Sequence, residues 1–434
     1  MSRLNTIFLT NQTVQSPTPD RLDARVWLTL VGLYVAQAIP IYLVAAALPP
    51  ILRARGVDLS LIGGLGILML PWVIKPLWAP LIDRLSRYRG IGRKGVIIGT
   101  QSIVLLTIIA LSQLDPVRDI SLFFPLLLTT AFASATQDIA TDGYAVEHLP
   151  PRYQSGGNAI QSGAVAAGVL IGGSGTLFLY DIVGWQTAVL TAGALSFAAV
   201  AVSVIVPEAL GKREDGSEKQ KPGLRHFFTR PGALAVFAFA LIFRLPEGLI
   251  KALEQSFLVD AGLSLSLIGL ISGGSAAAVG LLGAYLGMVV IKRLGLAPFF
   301  AALIAGRTLI FALYGTAALY GLPYEALIGL SMLNTFSRYM EIVGLFTVFM
   351  RVSSLSQAGT DFTILSSTNL LVYMVGSMAA GVAAQAFGYA FVFWLACALS
   401  FVTGGVALVL LSKSQIRQVA PTQDHSSTRV PSPN

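Results

Sequence analysis

Leu59 to Lys94 reads LSLIGGLGILMLPWVIKPLWAPLIDRLSRYRGIGRK. Residues 59–82 form an apolar run, and about 20 such residues suffice to carry a helix across a bilayer. One lysine, Lys75, lies inside the run. The stretch closes on Arg84, Arg87, Arg89, Arg93 and Lys94, and basic residues collect in loops on the cytoplasmic side of a membrane. It therefore gives a class, a side and a first internal charge together.

The rest of the chain extends that reading. Of 434 residues 55% are hydrophobic and 12% charged, about half the roughly 25% charged share of a soluble domain. Twelve apolar spans are expected at 26–52, 59–82, 95–114, 120–140, 156–179, 185–206, 232–255, 263–291, 296–318, 323–350, 362–387 and 388–411. Polar tails at 1–25 and 412–434 flank two halves, 26–206 and 232–411. A polar linker, 207–231, containing GKREDGSEKQK, joins the halves. The first 25 residues lack the basic start, short apolar core and cleavage site of a signal peptide. An all-α membrane protein of two six-helix halves follows.

The net charge of +8 suggests nucleic acid until the basic residues are placed. With both termini on one side, 21 of the 29 lysines and arginines fall on that side, and four, Arg53, Arg55, Arg118 and Lys251, on the other. This asymmetry predicts cytoplasmic termini and no nucleic-acid partner. Cys397 is the sole cysteine, and His148, His226 and His425 lie in loops or the tail. No disulfide, metal site or cofactor site is expected, and no phosphate-binding GxxxxGK[ST] loop occurs.

The halves repeat at an offset of 206 residues. Gly56-Val-Asp-Leu-Ser-Leu-Ile-Gly63 matches Gly262-Leu-Ser-Leu-Ser-Leu-Ile-Gly269, and Pro40 superposes on Pro246. Glycines four apart (Gly168 with Gly172, Gly269 with Gly273, Gly283 with Gly287) predict close helix approach in the fifth and eighth spans.

Seven charges fall in or near the hydrocarbon: Lys75, Asp138, Arg244, Glu247, Arg307, Arg338 and Glu341. Each costs roughly 2.5–3.5 kcal/mol at the bilayer centre on insertion scales, so they should face a cavity or one another. Arg244 with Glu247, and Arg338 with Glu341, are three apart and share a helix face. They either neutralise each other within their helices or bind an anionic substrate. Lys75 and Arg307 are expected to make structural contacts. Asp138 is the candidate proton-coupling carboxylate; alternatively, Asp138 and Asp142 latch an inside gate by pairing with Arg152 or the loop from Arg84 to Lys94. The expected gate comprises Asp83, Arg84, Arg93, Lys94 and Asp142.

Leu81-Ile-Asp83-Arg84 followed by Gly92-Arg93-Lys94 resembles the loop motif between the second and third helices of the major facilitator superfamily, with a longer spacing. That spacing, KPLWAPLIDR and ASATQDIATDGYAVEHL are similar to the AmpG-like muropeptide permeases. Within that group, LPPILRARGVDLSLIG, LPWVIKPLWAPLIDR and QAGTDFTILSSTNLLVYMVGSMAAGVAAQAFGY most resemble the RhtX/FptX-like siderophore permeases. The resemblance implies a monomeric bacterial inner-membrane importer, not an enzyme, with a central cavity lined by the first, fourth, seventh and tenth helices. It implies a siderophore, iron-loaded or not, as cargo, with protons and membrane lipids as its other partners. A muropeptide permease and a non-transporting membrane sensor are the alternatives.

Overall fold

The structure is a computed structural model that describes residues 22–57, 65–88, 91–205, 222–271, 273 and 276–413. Among these residues every regular element is helical. The rods are α1 (Ala24–Ala54), α2 (Leu65–Leu77, bent by 63° into Ala79–Leu85), α3 (Gly92–Gln113), α4 (Ile120–His148), α5 (151–183), α6 (185–205), α7 (Ala233–Asp260), α8 (Leu265–Leu270 and Ala276–Leu294), α9 (Leu296–Tyr320), α10 (Tyr324–Val352), α11 (358–387) and α12 (389–413).

Among the described residues eight stretches are long and apolar enough to cross a membrane, and bent α2 makes a ninth. Two of the eight, Pro151–Ala201 and Leu355–Leu411, are long enough to cross twice. They break at Gly184 and Gly388, where φ is 79° and 81°. A side chain is strained at such angles, so glycine lets the chain turn from one rod into the next. The 29-residue α10 completes the set despite its internal charges. Of the first copy of the repeated motif, 56–63, residues 58–63 lie outside the described residues, and Gly56 has φ 82°. In the second copy Gly262 has φ 93° and Ser264 caps α8, its hydroxyl accepting from Leu267 N at 3.3 Å.

Two prolines expose backbone acceptors. Pro40 has no N–H for the carbonyl of Ala36 one turn earlier, and Ser196 Oγ of α6 donates to that carbonyl at 2.6 Å. α7 breaks at Arg244, just before Pro246, and the carbonyl of Phe243 accepts from Arg307 Nη1 at 3.1 Å. The corresponding prolines thus lie where two helices loosen: the carbonyl Pro40 leaves free is taken by Ser196, and the carbonyl of Phe243 at the break before Pro246 is taken by Arg307.

Two of the three glycine pairs make close approaches, to partners other than each other, whereas a Cβ on Gly273 would meet nothing within 4 Å. A Cβ on Gly168 or Gly172 would strike Ala38 or the carbonyl of Ile39 on α1. One on Gly283 would strike the carbonyl of Phe336 on α10, and Gly287 stands against Met340 of the same helix. α5 and α8 do meet, through Gly163 with Leu281 and Gly156 with Met288. These pairs therefore set the spacing of α1 on α5 and of α8 on α10.

The apolar core is continuous at one end of the molecule and divided at the other. Ile139, Tyr144 and Ala145 of α4 belong to one cluster with Phe349 of α10 and Ala358 and Phe362 of α11. Towards the opposite end there are two separate clusters, one drawn from α1–α6 (Ile39, Leu43, Val104, Phe123, Val189) and one from α7–α12 (Leu249, Phe257, Phe311, Phe393). Among the described residues, the two groups of six helices therefore share a core at the Asp83 end.

Candidate functional site

At the shared end, α2 delivers Asp83 to the first turn of α11. The carboxylate is 1% exposed and accepts from Gly359 N (3.2 Å), Thr360 N (2.7 Å) and Thr360 Oγ1 (2.6 Å). The first N–H groups of a helix have no partner within it and carry partial positive charge, so an anion is held well there. Asp83 caps a helix of the other half. Arg93 of α3 donates to it at 2.9 Å and to both oxygens of Glu147 at 2.8 and 2.7 Å. A Cβ on Gly359 would stand 2.8 Å from both Asp83 Oδ1 and the carbonyl of Ile139, so only glycine admits this contact.

Further bonds between the halves lie on the same side. Asn158 Nδ2 of α5 reaches Thr347 Oγ1 of α10 at 3.2 Å, and Ser367 Oγ of α11 donates to the carbonyl of Trp72 at 2.7 Å. The described part of the linker adds to them. Arg84 donates to the carbonyl of Pro222 at 3.0 Å, and Gly223 N donates to Gln357 Oε1 at 3.0 Å. Lys94 stands on the first turn of α3 beside Arg93. Asp142 does not belong to this group. It is 1% exposed inside the first six helices, accepting from Tyr34 OH at 3.2 Å and Gln161 Nε2 at 3.3 Å.

Asp138, one turn earlier on α4, is claimed from two other helices. Lys75 Nζ of α2 forms an ion pair with Asp138 Oδ2, and Gln37 Nε2 of α1 donates to Oδ1. Neither Arg152 nor the basic loop reaches it among the described residues. Lys75 is 2% exposed and lies where α2 passes into a short 3-10 turn, which aims it sideways into the bundle.

The second half carries the other charges, in a pairing that helix spacing misassigns. Glu341 does not bind Arg338. Its Oε2 accepts from Arg307 Nη1 at 2.8 Å, and its Oε1 lies 3.9 Å from Arg244 Nε. Arg307, 1% exposed, also donates to Ser400 Oγ at 3.1 Å and lies 4.5 Å over the Phe243 ring. Arg244 donates to Asn369 Oδ1 at 3.1 Å and lies 5.0 Å over the Tyr373 ring. It forms no ion pair with Glu247. Among the described residues Arg338 has neither ion pair nor hydrogen bond, and the strongest opposite charge acting on it is Glu247 of α7. Glu247 is 1% exposed with Oε1 unpartnered.

Three arginines thus converge with two glutamates, leaving one cation in excess. Arg307 and Glu341 hold each other in a direct ion pair, and unused polar atoms remain on all five charged residues as well as on Asn334 and Asn369. Tyr42 of α1 is close enough to act electrostatically on Arg338 and Tyr373. The arrangement offers charge and hydrogen bonds to a guest between α1, α7, α10 and α11. Among the described residues no group of three or more metal-ligating side chains occurs.

Sequence reasoning did not single out Thr360, Gly359, Glu147, Gln37, Tyr34, Gln161, Asn369 or Tyr373. For Thr360 a signal was present: SSLSQAGTD is rich in residues that cap a helix start, and such a start offers an anion site to an opposing carboxylate.

Comparisons with known proteins place this geometry. A profile of the Major Facilitator Superfamily matches residues 30–350. The chain is 27% identical over 276 residues to the anhydromuropeptide permease of Escherichia coli (strain K12), covering 62% of this chain and 56% of that protein. It therefore spans little more than half the length of that relative. It is 24% identical over 362 residues to putative transporter AmpG 4 of Rickettsia conorii, covering 78% and 84%. Among solved structures it resembles the proton:xylose symporter XylE (TM-score 0.69, 12% identity, 90% of this chain and 95% of that one). It also resembles the transporter FucP in the outward conformation (0.65, 15%, 90% and 98%). A bacterial homologue of the iron transporter ferroportin in an outward-facing state matches at 0.62 (16% identity, 90% and 100%).

Proposed function

Because the chain belongs to the major facilitator superfamily and is a multi-pass secondary transporter of small molecules, we propose that it imports an anionic cell-wall fragment of the muropeptide class across the bacterial inner membrane. The observation that carries the transport cycle is the apolar core, shared at the Asp83 end and divided at the other. The basic loop around Arg84, Arg93 and Lys94 lies at the shared end, so that end faces the cytoplasm, with the termini on the same side. The structure is then the outward-open state, its inner mouth shut by Asp83 on α11.

The cargo's charge follows from the arginine excess. A buried guanidinium without an anion is costly, and an incoming carboxylate between Arg244 and Arg338 supplies one. Glu247 acts on Arg338 without pairing with it, which leaves the guanidinium available to the cargo, and Tyr373 and Asn369 offer further contacts. Anchored across α7 and α10, the cargo bridges to α1 and α4, and the halves rock about it. A proton reaching Asp138 neutralises its pair with Lys75, which loosens α2 where it carries Asp83. The similarity to an anhydromuropeptide permease supports the cargo class.

A siderophore is the second reading, favoured by the segments at Leu48–Gly63 and Gln357–Tyr389 quoted above. Uptake of labelled anhydromuropeptide and of a panel of labelled ferri-siderophores, in a strain lacking its own permeases for each, decides between them. Accumulation of the muropeptide that collapses with a protonophore is the expected result. Accumulation of a ferri-siderophore alone would replace the cargo, and accumulation of neither would remove the import reading.

A further inference from the structure

The turn of α4 that holds Asp138 also holds Asp142, and the two differ in kind. Asp138 keeps 15% of its side chain exposed and has a lysine. Asp142 is sealed, and its partners among the described residues are neutral: Tyr34 OH of α1 and Gln161 Nε2 of α5. The charges acting on it are Asp138 on its own helix and Lys75 of α2. From α3, Arg93 lies over Gly143, the next residue; its Nε and Nη2 are taken by Asp83 and Glu147, its Nη1 has no hydrogen-bond partner among the described residues, and it makes no ion pair with Asp142.

The cluster therefore holds two carboxyl groups and one ammonium in a buried volume. Two carboxylates with one lysine leave a negative charge uncompensated, and a buried carboxyl group avoids this by taking a proton. We propose that Asp142 is the proton-holding carboxyl group of the transporter and that Lys75 is shared between it and Asp138. With Lys75 on Asp138, the proton resides on Asp142.

The groups sit one helical turn apart, about 5–6 Å between Cβ atoms, within the swing of a lysine. Handing over is balanced. An O–H bond forms on Asp138 from the proton arriving through the open side, the ammonium moves to Asp142, and the O–H bond on Asp142 breaks as its proton leaves towards the Asp83 end. Net charge in the cluster is unchanged, and one proton has advanced by a turn of α4. Tyr34 OH holds Asp142 Oδ1 in place throughout and acts as a positioning residue.

This deepens the proton-coupled reading and rests on it, but its test does not need the cargo. The carbonyl stretch of a protonated carboxylic acid is resolved by infrared difference spectroscopy of the full chain in nanodiscs at neutral pH. Wild type should show such a band that Asp142→Asn removes. Tyr34→Phe, which contacts Asp142 and not Asp138, should shift the band and decides the matter if Asp142→Asn does not fold. Asp138→Asn should also abolish the band, because Lys75 then turns to Asp142. A band indifferent to both Asp142→Asn and Tyr34→Phe, or no band in wild type, would overturn the assignment. Uptake insensitive to an imposed proton gradient would instead end the coupling reading, with the band still on Asp142.

Discussion

Replacing Asp83 by Asn removes a charge and one acceptor oxygen from the contact that closes the Asp83 end. Four hydrogen bonds converge on that carboxylate, three of them from Gly359 and Thr360 of the other half. Asn keeps one acceptor and turns an amide donor towards the Thr360 N–H. A hydrogen bond to a charged group contributes roughly 1.5–3 kcal/mol. Losing about one such bond, together with the favourable helix-terminus charge, weakens the closed end by about 3 kcal/mol, a shift of roughly 100-fold. The substitution leaves both apolar half-cores intact, so the protein should fold and change conformation. Cysteines at the exposed Tyr88 and Leu355, in a Cys397→Ser background, report the separation by double electron–electron resonance. Wild type should give one short distance, and Asp83→Asn should add a longer population. An unchanged distribution would refute the idea that Asp83 holds the halves together.

Other outcomes follow from the same geometry. Gly359→Ala places a Cβ against Asp83 Oδ1 and the Ile139 carbonyl; overpacking of this kind costs typically 1–3 kcal/mol, and the same labels should report opening. Arg307→Ala takes the hydrogen-bonded partner from buried Glu341 and leaves it only Arg244 at 3.9 Å, at about 3 kcal/mol, so the melting temperature in detergent should fall sharply; a melt within a degree or two of wild type would contradict this. Asp115, on the loop between α3 and α4, is held down to about 2 by its hydrogen bond from Arg55, with help from the N–H groups of Arg118 and Val117. Its folded value lies below its unfolded one, so its contribution is complete above about pH 4 and fades as pH falls towards 2. Both side chains are partly exposed, so the effect stays within about 1 kcal/mol. The melting difference between Asp115→Asn and wild type should be constant from pH 8 to pH 5 and vanish in acid; a difference that grows in acid would reverse the sign.

Much of the fold was legible because the bilayer imposes it. Apolar length located the rods, and the superposing Pro40 and Pro246 fall where the structure loosens α1 and breaks α7. Boundaries slipped where polar turns continue a helix beyond the hydrocarbon: α7 runs to Asp260 where 255 was expected. The charged residues were found by type, since any charge in an apolar run stands out, but their partners were not. Spacing on one helix suggests Arg338 with Glu341, whereas packing gives Glu341 to Arg307 on α9. Asp142 was grouped with the gate because it shares a face with Asp138, yet that face turns inward to Tyr34 and Gln161. Thr360 was passed over because its contribution comes largely from backbone, which composition does not reveal.

The central claim is that an anionic cargo completes the unpaired arginine of α10 in an outward-open cavity. Proteoliposomes containing the full chain, given an inward proton gradient and labelled anhydromuropeptide, test it directly when wild type is compared with Arg338→Gln. The account predicts accumulation by wild type and a loss of roughly 30-fold or more in kcat/KM for Arg338→Gln, from one charged hydrogen bond of about 2 kcal/mol or more. Equal uptake by the two proteins would contradict it.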